Sequence, residues 1–258
     1  MELKDKKIIV TGAGRGMGAA TLKVYVEAGA NVIAMDIKDD LGRPVCEVAN
    51  KHGPGSASYV HIDVADKQSV TNAFAEALDI LGGLDVLANP AGIQGPSDAG
   101  DVSVEDWELM FSVNTTGTML TNQTAYKYMK ETGGGSIINF GSISGQRPEP
   151  GAAAYSAAKG AVHSWTRTAA GTWGKDNVRV NAILPAIATP MFEEAVASLT
   201  EEENKANYWI NFRNIFIGGK YGDAEKDLGP VMVFFASYSS RFITGQLIPV
   251  DGGQTNVS

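Results

Sequence analysis

The chain is poor in the features that mark secreted, membrane-spanning and nucleic-acid-binding proteins. Cys46 is its single cysteine, so an internal disulfide is excluded, as fits a reducing compartment. The three histidines, His52, His61 and His163, lack metal-ligand spacing, and no histidine-built metal site is expected. No apolar run is long enough to cross a bilayer. The opening MELKDKKIIVTG carries too short an apolar stretch for a secretory signal, so the two glycosylation-like triplets at Asn114 and Asn122 are read as chance. Lysine and arginine number 21 against 29 acids, a net charge of −8, without the basic face that nucleic acid requires. Linkers, repeats and low-complexity tracts are missing as well. These absences leave a cytoplasmic globular protein whose partner is a small molecule.

What is present is alternation. Apolar, β-branched runs at 7–12, 31–36, 57–63, 84–89, 136–142, 178–185 and 246–253 are separated by helical stretches. In 66–81, Val70, Phe74, Ala77, Leu78 and Leu81 recur at helical spacing, with Gly82-Gly83 as a stop; Gly29 stops an earlier helix. Strands alternating with helices imply crossovers and a parallel sheet. Nearly continuous apolar strands imply cover on both faces. The reading is one α/β domain over 1–258, a Rossmann-like doubly wound fold with about seven parallel strands. The stretch 186–222 breaks the rhythm and holds Phe192, Tyr208, Trp209, Phe212 and Phe216. It is too aromatic to stay bare and is expected to fold as short helices over the site.

The first strand runs into TGAGRGMG. Met17 stands where G-x-G-x-x-G would place its last glycine, so the pattern is Gly12, Gly16 and Gly18. Its physics is similar: a tight turn, close backbone approach and a helix N-terminus facing a pyrophosphate. Asp36 ends the second strand, where an acid can bind the adenosine ribose hydroxyls. A carboxylate there repels a 2′-phosphate and favours NAD over NADP. Arg15 favours NADP, but an idle arginine gains less than a carboxylate against phosphate costs.

Near the middle lies GAAAYSAAKGA, 151–161, in which Tyr155 and Lys159 stand among small residues. Four helical positions put both side chains on one face. Together with the glycine turn, Asp36, HIDV (61–64), NPAG (89–92), Asn114, Ser142, PAIAT (185–189) and DGG (251–253), they make nearly the whole chain resemble the short-chain dehydrogenase/reductase family in its single-domain form. The resemblance implies an oxidoreductase moving a hydride between NAD(H) and a secondary alcohol or ketone. It puts Asp63 and Val64 beside the adenine, Asn89, Ala91 and Gly92 along the ribose, and Thr189 at the nicotinamide amide. Arg15, Met17, Ile37, Pro185 and Ile187 are further cofactor contacts, and Tyr155 and Lys159 reach the nicotinamide ribose. Two departures stand out. Pro90 replaces a second asparagine that ties the fourth strand into the sheet, which puts stability there in doubt. Ala186 replaces a glycine, and its methyl narrows the site.

The resemblance also assigns the chemistry. Tyr155 is general acid/base, Lys159 lowers its pKa, Ser142 polarises the substrate oxygen and Asn114 sustains a proton path. A phenol titrates near 10, so a base at neutrality needs a shift worth roughly 3–4 kcal/mol. A nearby ammonium supplies part of it. Gln94, Ile143, Arg147, Ala186, Phe192 and Trp209 are candidate substrate contacts, with Arg147 read either as a partner for an anionic substrate or as a solvated surface charge. Small residues Ala157, Ala158, Gly160, Ala161, Ala169 and Ala170 on the tyrosine helix suit close packing against another subunit, and the family's homotetramer is expected, with a dimer as the alternative. A non-catalytic dinucleotide sensor on the same fold is the competing reading; it needs only the cofactor half of these residues. His163 does not make a hydrolase triad, because no G-x-S-x-G elbow is present.

Overall fold

The computed structural model describes residues 2–197, 199–202, 212 and 214–256. Seven strands form one parallel sheet: β1 (Lys7–Thr11), β2 (Asn31–Asp36), β3 (Ser56–His61), β4 (Val86–Asn89), β5 (Gly135–Phe140), β6 (Val178–Pro185) and β7 (Leu247–Val250). Their order is β3-β2-β1-β4-β5-β6-β7. The helices are α1 (Gly16–Glu27), α2 (Asp39–Ala49), α3 (Lys67–Leu81), α4 (Val104–Phe111), α5 (Gly117–Met129), α6 (Ala153–Trp173), α7 (Pro190–Ala197) and α8 (Gly229–Ala236). No described helix is long and apolar enough to cross a membrane.

Both sheet faces are covered, as the continuous apolar strands require. On β1, Ile8 and Val10 point into one core with Leu22, Val26, Cys46 and Met232. Ile9, on the opposite face, joins Phe74, Ala125, Met129 and Trp173. Alternate residues of one strand therefore feed two separate cores. The sheet order reverses between β1 and β4. Crossovers leave this point in opposite directions, which opens a crevice at the carboxyl ends of the strands.

Beside Pro90, the neighbouring asparagine makes a tie of its own. Thr11 Oγ1 donates to Asn89 Oδ1 at 2.7 Å, both side chains buried, so Asn89 itself joins β4 to β1. The packing expected at a subunit contact is partly used inside the chain. Ala158, with its neighbour Ala154, packs on Met110 of α4, and Ala169 and Ala170 enter the second core. Ala157, Gly160 and Ala161 stay half-exposed. The expected helical folding of the aromatic stretch is met at α7. Tyr208 and Trp209 fall outside the described residues.

Candidate active site

The glycine turn closes the bottom of the crevice. Gly12 has φ +59°, and a Cβ there would stand 2.7 Å from Ala91 Cα. A Cβ on Gly18 would stand 2.0 Å from the Gly12 carbonyl oxygen, so α1 can start this close to β1 only with glycine. Arg15, the residue ahead of α1, gives the helix no side-chain cap, and its first turn holds no acid. N–H groups without a side-chain cap, in a first turn that carries no acid of its own, suit an anion.

Asp36 faces the same cleft with its carboxylate fixed at both ends. Oδ2 accepts from the Gly14 N–H and Oδ1 from the Lys38 N–H, each at 2.9 Å. Gly14 was missing from the sequence-derived set. A Cβ at this position would meet Asp36 Oδ2 at 2.9 Å, and the one sign of it in the sequence is a further glycine within the turn. Gly12, Arg15, Gly16, Met17, Gly18, Asp36, Ile37, Asp63, Val64, Ala91, Gly92 and Thr189 all line one cleft of ≈ 310 Å³. Pro90 also lines it, and Lys38, Leu41, Ile62, Ile93, Val113 and Pro190, which were not among the expected contacts, complete its wall. Asn89, Pro185 and Ile187, expected as cofactor contacts, are not among the residues that line it. The Asp63 carboxylate receives the Ala65 N–H at 2.9 Å. A dinucleotide fits this construction: an uncapped helix end for the diphosphate and a held acid for a ribose diol.

Tyr155 and Lys159 lie on one face of α6, with Lys159 Nζ 5.6 Å from the Tyr155 ring centre. Lys159 is buried and donates to the Phe140 carbonyl at 2.8 Å. Burial brings its pKa down to about 8. Tyr155 moves the other way, because burial raises its pKa, a hydrogen bond with Ser142 lowers it and the Glu149 carboxylate raises it. The net direction is upward, against the depression expected from the lysine, since desolvation outweighs the hydrogen bond.

Asn114 sits in a π-helical turn, Ser112–Thr116, between α4 and α5. Its Oδ1 accepts from the Ile93 N–H at 3.0 Å, and its Nδ2 donates to the Ile93 carbonyl at 2.8 Å. Thr118 Oγ1 donates to the Asn114 carbonyl at 2.8 Å. The asparagine side chain thus holds the cleft wall. A Cβ on Gly92 would stand 2.6 Å from Asn114 Oδ1 and 3.6 Å from Lys159 Nζ, so both side chains approach Gly92 in the cleft wall.

Ser142 follows β5 and heads a short 3₁₀ turn, Ile143–Gly145. Its hydroxyl donates to Ser144 Oγ at 3.1 Å and accepts the Ser144 N–H at 3.2 Å. His163, on α6, is 3% exposed and its Nε2 accepts the Ser142 N–H at 3.3 Å. Burial, with the charges of Lys159 and Arg167, brings the His163 pKa down to about 4.

A stability prediction follows from that imidazole. Its folded pKa lies below the usual 6.5, so between pH 6.5 and 4 the unfolded chain takes up the proton and the folded one does not. Stability is complete above 6.5 and falls as pH drops toward 4. At ~1.4 kcal/mol per pH unit, His163 accounts for a loss of about 3 kcal/mol. Urea unfolding of wild type and His163→Gln across this window should show a flatter pH dependence in the variant; parallel curves would place the proton uptake elsewhere.

Of the substrate candidates, Phe192 joins Phe212 and Tyr221 in an aromatic cluster, with ring centres 4.7–5.9 Å apart. Tyr221 closes the aromatic stretch and was missed among its more conspicuous rings. Arg147 is half-buried, with its guanidinium 4.0 Å from Glu149, so it is neither fully solvated nor waiting alone for an anion. Ile143 lies in the turn after Ser142, Ala186 is buried at the end of β6, and Gln94 is exposed. Trp209 cannot be placed, lying outside the described residues. Among the described residues, no cluster of metal-binding side chains occurs.

Residues 12–255 match the family profile described as enoyl-(acyl carrier protein) reductase. The chain is 37% identical to trans-4-hydroxycyclohexanecarboxylate dehydrogenase of Sinomonas cyclohexanicum, over 97% of this chain and 93% of that one. It is 34% identical to meso-2,3-butanediol dehydrogenase of Serratia marcescens, over 99% and 96% of the two lengths. Its structure resembles levodione reductase with a TM-score of 0.92 and 26% identity, covering 99% of this chain and 100% of that one. A short-chain type dehydrogenase/reductase from Mycobacterium ulcerans gives a TM-score of 0.91 at 27% identity, covering 99% and 92%.

Proposed function

The chain belongs to the short-chain dehydrogenase/reductase family, and on that premise we propose that it transfers a hydride between NAD(H) and a secondary alcohol or ketone. The observation that carries this reading is Tyr155 and Lys159 on one face of α6, with Nζ 5.6 Å from the phenol ring centre and Ser142 acting on that phenol, beside a cleft built on the glycine turn. A sensor would need the cleft alone. In the oxidative direction Tyr155, as phenolate, accepts the alcohol proton and becomes the phenol, Ser142 donates a hydrogen bond to the substrate oxygen, and Lys159 provides positive charge behind the ring. The nicotinamide, when bound oxidised, supplies the hydride acceptor and a second positive charge. Tyr155 needs both charges, because its own burial works against the phenolate.

The aromatic cluster of Phe192, Phe212 and Tyr221 fits a moderately apolar substrate. The named activities of the relatives make cyclic alcohols and vicinal diols the first compounds to try. The test is a panel of secondary alcohols and ketones followed by NADH absorbance, with NADP alongside. Turnover of a cyclohexanol or a diol with NAD supports the proposal. Silence across the panel, with NADH binding intact, favours the sensor instead. We carry the homotetramer as the proposed assembly, to be read by light scattering.

Asp36 sets the proposed cofactor preference. Two backbone N–H groups hold its carboxylate, so it cannot swing away from a 2′-phosphate. Asp36→Ala is expected to raise the NADP-to-NAD ratio of kcat/KM by about tenfold or more, the size of one removed like-charge contact. An unchanged ratio would take Asp36 out of the selectivity.

A further inference from the structure

We propose that His163 is a positioning residue: a neutral imidazole, protonated on Nδ1, that brackets the turn Ser142–Gly145 and so holds the Ser142 hydroxyl against Tyr155. The proposal rests on the reading of this site as a proton-transfer centre. Its geometry does not depend on a substrate.

Nε2 accepts the Ser142 N–H at 3.3 Å, so that nitrogen carries no proton. The other edge of the ring lies against Gly145, where an added Cβ would stand 2.7 Å from Cε1 and the backbone acts in favour of a ring proton. With Nε2 an acceptor, the neutral ring carries its proton on Nδ1 and offers it to this end of the turn. One buried ring therefore joins both ends of the turn that presents Ser142. Neither Gly141 nor Gly145 adopts a positive φ, so backbone conformation does not explain these glycines. The imidazole does. A Cβ on Gly141 would stand 2.4 Å from Nε2, and one on Gly145 would stand 2.7 Å from Cε1. The chain clears both sides of the ring to let it in.

His163 also lies one helical turn beyond Lys159, which binds the Phe140 carbonyl just ahead of the same turn. Helix α6 thus holds the strand end at three points: Phe140, Ser142 and Gly145. The charged groups acting on the imidazole are Lys159 and Arg167, both disfavouring a proton. The ring is accordingly suited to holding a fixed tautomer and unsuited to relaying protons.

His163→Leu keeps the ring's bulk and removes both hydrogen bonds; His163→Gln restores an acceptor and a donor. In the holoenzyme, kcat of His163→Leu should fall about 10- to 100-fold, with KM and the NADH Kd changed by less than about threefold. His163→Gln should recover most of the loss. Adding His163→Leu to Ser142→Ala should cost nothing further, because the histidine acts through the serine. Losses that multiply, or a weakened NADH Kd in parallel with kcat, would overturn the proposal.

A spectral measurement covers the case in which no panel compound turns over. In the NAD complex, the Tyr155 phenolate is titrated by ultraviolet difference absorbance against Tyr155→Phe. His163→Leu should raise its midpoint by about one pH unit as the Ser142 hydrogen bond loosens. A raised midpoint with a silent panel would keep the positioning role and reject the dehydrogenase reading. An unmoved midpoint would reject the positioning role whatever the panel gives.

Discussion

Tyr155→Phe is expected to bind NADH with near wild-type affinity and to lose turnover by about 10²- to 10⁴-fold, the usual share of a positioned acid/base. The substitution removes one hydroxyl and keeps the ring that covers Lys159. Helix α6 should stay in place, because Lys159 is anchored independently on the Phe140 carbonyl. The loss should fall on kcat and kcat/KM together, as for an interaction made in the transition state. NADH fluorescence titration and steady-state rates measure the two halves of this expectation. More than a tenth of wild-type kcat remaining would show that another group moves the proton.

Lys159→Met should be the more damaging change, because two sites fail at once. The ammonium is lost from behind Tyr155, leaving the phenol to the upward pull of burial and Glu149. The Phe140 carbonyl also loses its donor at the end of β5. A buried polar group without its partner costs about 1–3 kcal/mol. We expect kcat to fall by at least about 10²-fold and NADH binding to weaken by about tenfold, in contrast to Tyr155→Phe. Unchanged NADH affinity would restrict Lys159 to its electrostatic part.

The parts of the fold legible in the sequence were those set by local pattern. Strands β2 and β6 fall at the expected residues, since their apolar runs end at Asp36 and Pro185. β4 starts two residues later than read, because Asp85 uses its carboxylate to receive the Lys7 N–H and to pair with Lys6. β7 stops at Val250, where the Asp251 carboxylate receives the Gly253 and Thr255 N–H groups and turns the chain. The catalytic candidates were legible through spacing and resemblance. The roles of Gly14, Gly141, Gly145 and His163 were not, since each depends on a contact with a distant segment. A histidine among alanines gives no sign of the serine turn that will enclose it. The direction of the Tyr155 shift was also hidden, because spacing reveals the nearby cation but not the depth of burial.

The central place of β1 has a consequence for the order in which the protein can become itself. The glycine turn and Asp36 are complete within the first 36 residues of sequence. Their shape is not, because Gly12 rests on Ala91, and Thr11 bonds to Asn89 across 78 positions of chain. β4 docks on β1 only once the chain has looped back over the segment that holds β2 and β3. A nucleotide that binds only the finished turn stabilises only chains that have made this closure. The cofactor therefore cannot nucleate folding from the N-terminal segment; it selects for a sheet whose long-range pairing, the slow part of such topologies, is already done.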